Sequence, residues 1–302
     1  MTLNVEEVVA RVPMWMGVGD IKISALDGGM TNRNFRVEVG GESFALRIAG
    51  ENTELLGINR EYEHAANLIA GRMQLAPEVV YFIRPEGYLV TRFVHGRPFP
   101  PEEIREPANI LRVAKILLEI HSLPEFPSSF SAFGVVRDYS EIATRFNVPF
   151  PKNFDWLTSR MNEAETALRI DPSTPRSCHN DLLNGNFLIN DKLVILDWEY
   201  AGMGDVFFDL ANFSNNHELS VEQDRRLLDG YFGQVTPQGL GHLNIMKIMS
   251  DFREAMWGLV QIGVSKLDFD FRGYADKHFD RLTQYIQNPA WGQWLQEVSK
   301  LA

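Results

Sequence analysis

Alternation between apolar and polar positions dominates the first hundred residues. Ile21 to Leu26, Asn34 to Val39 and Ser43 to Ile48 each follow a period of two, the spacing that sends alternate side chains to opposite faces of a strand. Gly40-Gly41 between the last two runs has the composition of a tight hairpin turn. Asn59 to Met73 switches to helical spacing, and Val79 to Phe82 and Tyr88 to Val94 return to strand character. These segments predict a sheet of about five strands with one helix against it. After Pro98-Phe99-Pro100-Pro101 the period lengthens. Glu102 to Ser122 predicts a helix with Ile110, Leu111, Ala114, Leu117 and Leu118 as its apolar positions, and Phe154 to Ile170 and Leu243 to Val264 predict two more. Most periodic segments from Phe208 onward are helical. Within this region two short apolar runs, Phe187–Asn190 and Leu193–Leu196, read as a hairpin turning at Asp191-Lys192. The pattern as a whole predicts an α+β chain of two lobes: a small β-rich lobe over residues 1–94 and a larger, mainly helical lobe over 95–302.

Composition narrows the classes. Of 302 residues, 45% are hydrophobic and 23% charged, ordinary values for a folded protein and wrong for wholesale disorder. Asp and Glu outnumber Lys and Arg by 40 to 29, for a net charge of −11, and no basic block reverses that balance, so a nucleic-acid partner is not expected. The acidic balance suits a small cationic ligand. Cys178 is the single cysteine, which permits neither an internal disulfide nor a cysteine-based zinc site. Glu6 and Glu7 precede any apolar run, the wrong start for a secretion signal, and no stretch approaches about 18 apolar residues. A cytoplasmic protein without a membrane partner is the expectation.

The candidate chemistry concentrates in Ser177-Cys178-His179-Asn180-Asp181-Leu182-Leu183-Asn184-Gly185-Asn186 and the hairpin that follows it. A two-residue turn at Asp191-Lys192 sets the hairpin register so that Asn186 faces Asp197, which delivers an amide oxygen and a carboxylate side by side. Hard oxygen donors without a thiolate or imidazole cluster favour Mg²⁺ over zinc. His-x-Asp-x4-Asn with a downstream Asp is also the spacing of the kinase phosphoryl-transfer template: one Asp takes the substrate's hydroxyl proton, while the Asn and the second Asp hold the metal on the nucleotide.

His179-Asn180-Asp181 with Asn186, followed by Asp197-Trp198-Glu199-Tyr200, resembles the choline/ethanolamine kinase branch of the aminoglycoside phosphotransferase-like kinases, which share the protein-kinase-like fold. Gly28-Gly29-Met30-Thr31-Asn32-Arg33-Asn34-Phe35 and Trp257-Gly258-Leu259-Val260-Gln261 agree with it, in consistent order from about residue 25 to 280, and point to its bacterial members. The resemblance implies ATP and Mg²⁺ as cofactors, a turn over Gly28–Asn34 above the phosphates (Gly29, Thr31, Asn32 and Asn34), and Arg47 as a phosphate contact. In the helix after it, Glu63 is the best partner for Arg47, with Glu61 second. Asp181 takes the role of proton acceptor, and Asn186 and Asp197 that of metal ligands. Glu199 and Tyr200 fall towards the acceptor, and Trp257 and Tyr274 match pocket aromatics for an ammonium group. Glu254, one helical turn before Trp257, brings a carboxylate where the eukaryotic relatives favour an aromatic wall. His179, His121 and Asp209 read as bracing, and Cys178 as a small buried residue. The implied acceptor is a small cationic amino alcohol, choline first. The alternatives are ethanolamine, an aminoglycoside or thiamine, or a nucleotide-binding regulator without turnover. A homodimer is compatible with all of these.

Overall fold

The computed structural model describes residues 4–26, 29–169 and 174–300. They form two compact units. The first takes the residues up to Pro98 and the returning segment Gly185–Glu199, and the second takes Phe99–Asn184 and the chain from Tyr200 onward.

In the first unit, α1 (Val5–Val9) precedes β1 (Lys22–Leu26), β2 (Asn32–Val39) and β3 (Glu42–Ala49), then α2 (Arg60–Arg72), β4 (Val79–Ile83) and β5 (Tyr88–Arg92). The five strands make one antiparallel sheet in the order β1-β2-β3-β5-β4, with Val39 opposite Glu42 across the Gly40-Gly41 turn. Period two does the sorting. Phe44, Leu46 and Ile48 face a core with Val37, Val39, Val90, Trp15 and the Val8 and Val9 side chains of α1. Each such side chain contributes about 1.5–3 kcal/mol by leaving water. Arg47, one residue out of phase, projects to the opposite face. Helix α2 starts where Asn59 caps it: its Oδ1 accepts the N–H groups of Glu61 and Tyr62 at 3.0 and 3.2 Å.

β6 (Arg97–Pro98) pairs with β8 (Phe187–Ile189), which pairs with β9 (Leu193–Ile195); β7 (Arg176–Cys178) belongs to the second unit. The hairpin register differs from the expectation. Phe187 lies opposite Ile195, Leu188 opposite Val194 and Ile189 opposite Leu193, so the turn holds three residues, Asn190 to Lys192. The cause is local. Asn190 Oδ1 accepts the Lys192 N–H at 2.9 Å, an Asx-type closure, while the Asn190 N–H donates to the Lys192 carbonyl at 3.0 Å. One extra turn residue slips every cross-strand partner by one. The Asn186 carbonyl accepts the Leu196 N–H at 2.8 Å, so Asn186 is level with Leu196 and the expected Asn186–Asp197 facing pair is corrected. Asp197 follows in the left-handed region, φ 61°, which turns its side chain out of the strand's alternation.

Among the described residues, the regular structure of the second unit is helical apart from the two-stranded ribbon of β7 with β10 (Gly202–Gly204). Its helices are α3 (Pro101–Ile104), α4 (Pro107–His121), α5 (Ala132–Arg145), α6 (Phe154–Leu168), α7 (Val206–Asn216), α8 (Val221–Phe232), α9 (Pro237–Val264), α10 (Phe271–Ile286) and α11 (Trp291–Val298). The helix expected over 102–122 is two helices, because Pro107 lacks an N–H and pushes Glu106 to extended angles, φ −65° and ψ 142°. Ile170, the expected end of α6, lies outside the described residues. α9 is the axis of the unit, 28 residues or about 42 Å long, packed by α5, α7, α10 and α11. Among the described residues no helix is long and apolar enough to cross a membrane.

Candidate active site

The first unit gathers three carboxylates and two guanidinium groups. Arg47 on β3 is ion-paired with Glu63 of α2, and its Nη1 donates to Asp197 Oδ1 at 3.2 Å. Arg60 Nη1 donates to Glu63 Oε2 at 2.8 Å and to Glu199 Oε2 at 3.0 Å, and its Nη2 donates to Asn32 Oδ1 at 2.9 Å. Glu199 is also held by the Thr31 hydroxyl, 3.1 Å, and the Asn32 amide, 2.9 Å. Burial pulls the Arg47 guanidinium down, but the Glu63, Asp197 and Glu199 carboxylates outweigh it and hold it above its ordinary value. Carboxylate oxygens of Glu63, Asp197 and Glu199 lie within 4.8 Å of one another. Arg47 Nε and Arg60 Nε are buried donors with no acceptor among the described residues.

Two glycines shape the turn beside this cluster. Gly29 has φ 91°, and a Cβ there would come within 3.1 Å of Asn34 Nδ2 and 3.2 Å of the Asn32 carbonyl. At Gly50, just past β3, a Cβ would collide with the Thr31 carbonyl. Asn34 stands directly opposite Arg47 in the β2–β3 register. Gly28 lies outside the described residues.

In the second unit the segment after β7 is held by its backbone. Asp209 on α7 accepts the N–H groups of His179 at 2.8 Å and Asn180 at 2.7 Å, and bonds His121 Nε2 at 3.0 Å. One turn later Asn212 Oδ1 accepts the Leu182 N–H at 2.6 Å. Asn180 adopts φ 65° and donates its side-chain amide to the Tyr200 carbonyl at 3.0 Å. Asn184 reaches the Phe99 carbonyl at 2.6 Å. Burial raises the Asp209 carboxyl, but the His121 hydrogen bond and the His121 and His179 rings overcome this and leave it below the ordinary aspartate value. The Cys178 thiol is pushed well up by burial and by the Asp209 and Asp205 carboxylates, so it is inert.

Asp181 emerges from this braced segment against α9. Arg253 Nη1 donates to Asp181 Oδ1 at 3.0 Å and also to Glu254 Oε1, while the guanidinium lies 4.3 Å over the Tyr200 ring. The Tyr274 hydroxyl of α10 donates to Glu254 Oε2 at 2.6 Å. Burial raises the Glu254 carboxyl, yet Arg253, His278 and the Tyr274 hydrogen bond bring it below the usual carboxylate range. The Tyr274 phenol is pushed far up by burial and by Glu254. Trp257, 7% exposed, meets Tyr274 edge-on at 5.5 Å and Phe271 at 5.8 Å.

Each residue singled out by sequence thus has a place. Thr31, Asn32, Asn34, Arg47, Glu63, Asp197 and Glu199 fall together in the first unit, where Asn186 also lies. Glu61 is bonded to Arg84 instead. Asp181, Tyr200, Glu254, Trp257 and Tyr274 fall in the second. Sequence reasoning missed Arg60, Gly50, Asn212 and Arg253. The signal available for Arg253 was a charged Arg-Glu pair immediately before the apolar run Ala255–Val260, since buried charges are found paired.

The family described as choline/ethanolamine kinase matches residues 23–226. A solved structure of a choline/ethanolamine kinase family protein from Mesorhizobium loti is 30% identical, with 98% of each chain covered and a TM-score of 0.85. Protein LicA of Haemophilus influenzae is 29% identical over 272 residues, 86% of this chain and 78% of that protein. Ethanolamine kinase 1 of Mus musculus is 25% identical over 307 residues, 87% of this chain and 83% of that protein.

Proposed function

The chain belongs to the choline/ethanolamine kinase family of small-molecule kinases, and on that premise we propose that it transfers the γ-phosphoryl group of ATP to the hydroxyl of a small amino alcohol, choline first. One observation carries the reading: within the second unit, a carboxylate on a rigidly braced segment shares a guanidinium with the α9–α10 cluster of Glu254, Trp257 and Tyr274. A nucleotide-binding regulator without turnover needs no such proton acceptor.

Asp181 orients the acceptor hydroxyl and takes its proton as the oxygen attacks the γ-phosphorus and the bond to the bridging oxygen of ADP breaks. Arg47 and Arg60 bring buried Nε–H donors with no acceptor among the described residues, which fits the phosphate oxygens of ATP. The turn at Gly29, Thr31, Asn32 and Asn34 lies over the phosphates, and Glu199 and Glu63 hold the turn and the two arginines in place. Asn186 and Asp197 offer an amide and a carboxylate oxygen, a hard donor pair that fits Mg²⁺. When bound, the ion supplies charge neutralisation on the nucleotide phosphates. On the acceptor side Trp257, Tyr274 and Tyr200 receive the ammonium group, with Glu254 supplying negative potential. Both Glu254 oxygens are already engaged, by Arg253 and Tyr274. A trimethylammonium group, which donates no hydrogen bond and is held by ring faces, suits that arrangement.

The test is ADP release from Mg²⁺-ATP with choline, ethanolamine, thiamine and an aminoglycoside as acceptors. Choline giving the highest kcat/KM supports the reading. Tight ATP binding with no acceptor-dependent release would establish the regulator instead.

A further inference from the structure

Arg253 is 2% exposed, lies inside α9 and is matched by no residue of the sequence motifs. A single nitrogen, Nη1, bonds both Asp181 Oδ1 and Glu254 Oε1. The Tyr200 ring covers one face of the guanidinium, and Tyr274 fixes the far oxygen of Glu254. The chain of contacts Tyr274–Glu254–Arg253–Asp181 therefore runs from α10 through α9 to the loop and ends on the carboxylate assigned to proton transfer.

We propose that Arg253 is a positioning residue for this reaction, clamping the Asp181 carboxylate, and that Glu254 acts mainly as the anchor of that clamp. The inference rests on the kinase reading above. An aspartate carboxylate otherwise rotates about two side-chain torsions. With Oδ1 committed to Arg253 that rotation is restricted, and the approach direction of the acceptor hydroxyl is set before it binds. A lone arginine at this distance would weaken the base, because an opposite charge within hydrogen-bond reach lowers a carboxyl pKa by about 1–3 units. Glu254 on the same nitrogen offsets that field. The ion pair thus supplies geometric hold while leaving most of the basicity of Asp181 in place. Besides these two, the groups facing Asp181 within the unit include Tyr139 of α5, Tyr274 of α10, Tyr200, and the His179 ring, whose Nδ1 accepts the Asp181 N–H at 3.2 Å. Burial pushes the Tyr139 phenol up to about 12, and the Tyr274 phenol is pushed far up as well. Neither supplies a competing charge near neutral pH.

The two members of the clamp have opposite electrostatic effects on Asp181, which makes the inference testable. Arg253→Gln removes the cation, so the Asp181 titration midpoint and the acid limb of the kcat–pH profile move up by about one unit or more. Glu254→Gln leaves the cation unopposed, so both move down. Arg253→Lys restores the charge without the planar fork: the limb stays near that of the wild type while kcat remains lowered. KM for ATP stays unchanged in all three. The midpoint is read by carbon-13 carboxyl NMR on the full chain, with the Asp181 resonance identified by its loss in Asp181→Asn, and the limb is read from steady-state kinetics with choline. Should Arg253→Gln fail to fold, Glu254→Gln and Arg253→Lys carry the test. Midpoints of Arg253→Gln and Glu254→Gln that coincide with the wild type overturn the clamp. So does a Glu254→Gln variant that raises only the acceptor KM, which would make Glu254 an ammonium ligand. A wild type that turns over no amino alcohol overturns the kinase reading itself, and the NMR midpoints then still decide whether the clamp exists.

Discussion

At the scale of single residues, three side chains separate binding from chemistry. Asp181 is the proposed proton acceptor, so Asp181→Asn is expected to lower kcat by about 10²–10⁴-fold. The Kd for Mg²⁺-ATP measured by calorimetry is expected to stay close to wild type, and loss of nucleotide binding would make Asp181 a ligand instead. Asp197 is half-buried, in a left-handed conformation, and paired with Arg47 at 3.2 Å. Asp197→Ala is expected to abolish acceptor-dependent turnover while the far-ultraviolet circular dichroism stays unchanged; near-wild-type kcat would remove it from the metal pair. Trp257→Ala removes the ring face proposed for a methylated ammonium, worth about 1–2 kcal/mol, so the expected loss of kcat/KM for choline is roughly 5–30-fold. KM for ATP is the control, since Trp257 contacts Tyr274 and Phe271 in the second unit.

At the scale of elements, the segment carrying Asp181 owes its shape to α7. Asp209 and Asn212, three residues apart on one face, between them satisfy the backbone N–H groups of His179, Asn180 and Leu182. Asp209→Ala strands two of those N–H groups and the His121 ring in a buried site. The expected cost is about 3–5 kcal/mol in urea unfolding, with turnover lost at temperatures where the fold persists. Such bracing was only partly legible beforehand. Strands β1 to β5 and helix α2 were plain, because period two, the Gly40-Gly41 turn and the Asn59 cap all agree locally. The β8–β9 register was not, because a three-residue Asx closure at Asn190 and a two-residue turn look alike in composition. Helix α5, started by Ser131 accepting the Gly134 N–H at 3.1 Å, was not among the expected elements, although Phe133, Val136, Tyr139 and Ala143 form one buried stripe. Arg253 and Arg60 stayed hidden for another reason: they pair with Asp181 and Glu199, 72 and 139 positions away. Periodicity carries no information about contacts at that range.

At the scale of the whole molecule, buried titratable groups set how stability responds to acid. His217 is buried with Nδ1 on the Phe213 carbonyl at 2.8 Å, and burial depresses its pKa from 6.5 to about 4. The unfolded chain therefore binds a proton that the folded chain refuses. The contribution of His217 is complete above about pH 6.5 and is lost as pH falls towards 4, to the extent of about 3 kcal/mol. Asp209 and Glu254, both held below the ordinary carboxylate range, add losses at lower pH still; Asp224, which burial raises, works in the opposite sense. Urea titrations at pH 7 and pH 5 are expected to show a smaller difference for His217→Leu than for wild type, and an equal difference would reassign the pH response to other groups. The discontinuity of the first unit, which leaves the chain's own path at Pro98 and is completed only by Gly185–Glu199, has a consequence during synthesis. Arg47 and Arg60 leave the ribosome well before Asp197 and Glu199. At about 5–20 residues per second, the 139 positions from Arg60 to Glu199 take about 7–28 s. Through that interval Glu63 is the carboxylate of the cluster already made, shared by two guanidinium groups bound for burial. The nascent chain thus waits for its own distant sequence to complete the charge balance, and closure of the cluster around Arg47 and Arg60 is a late event in its folding.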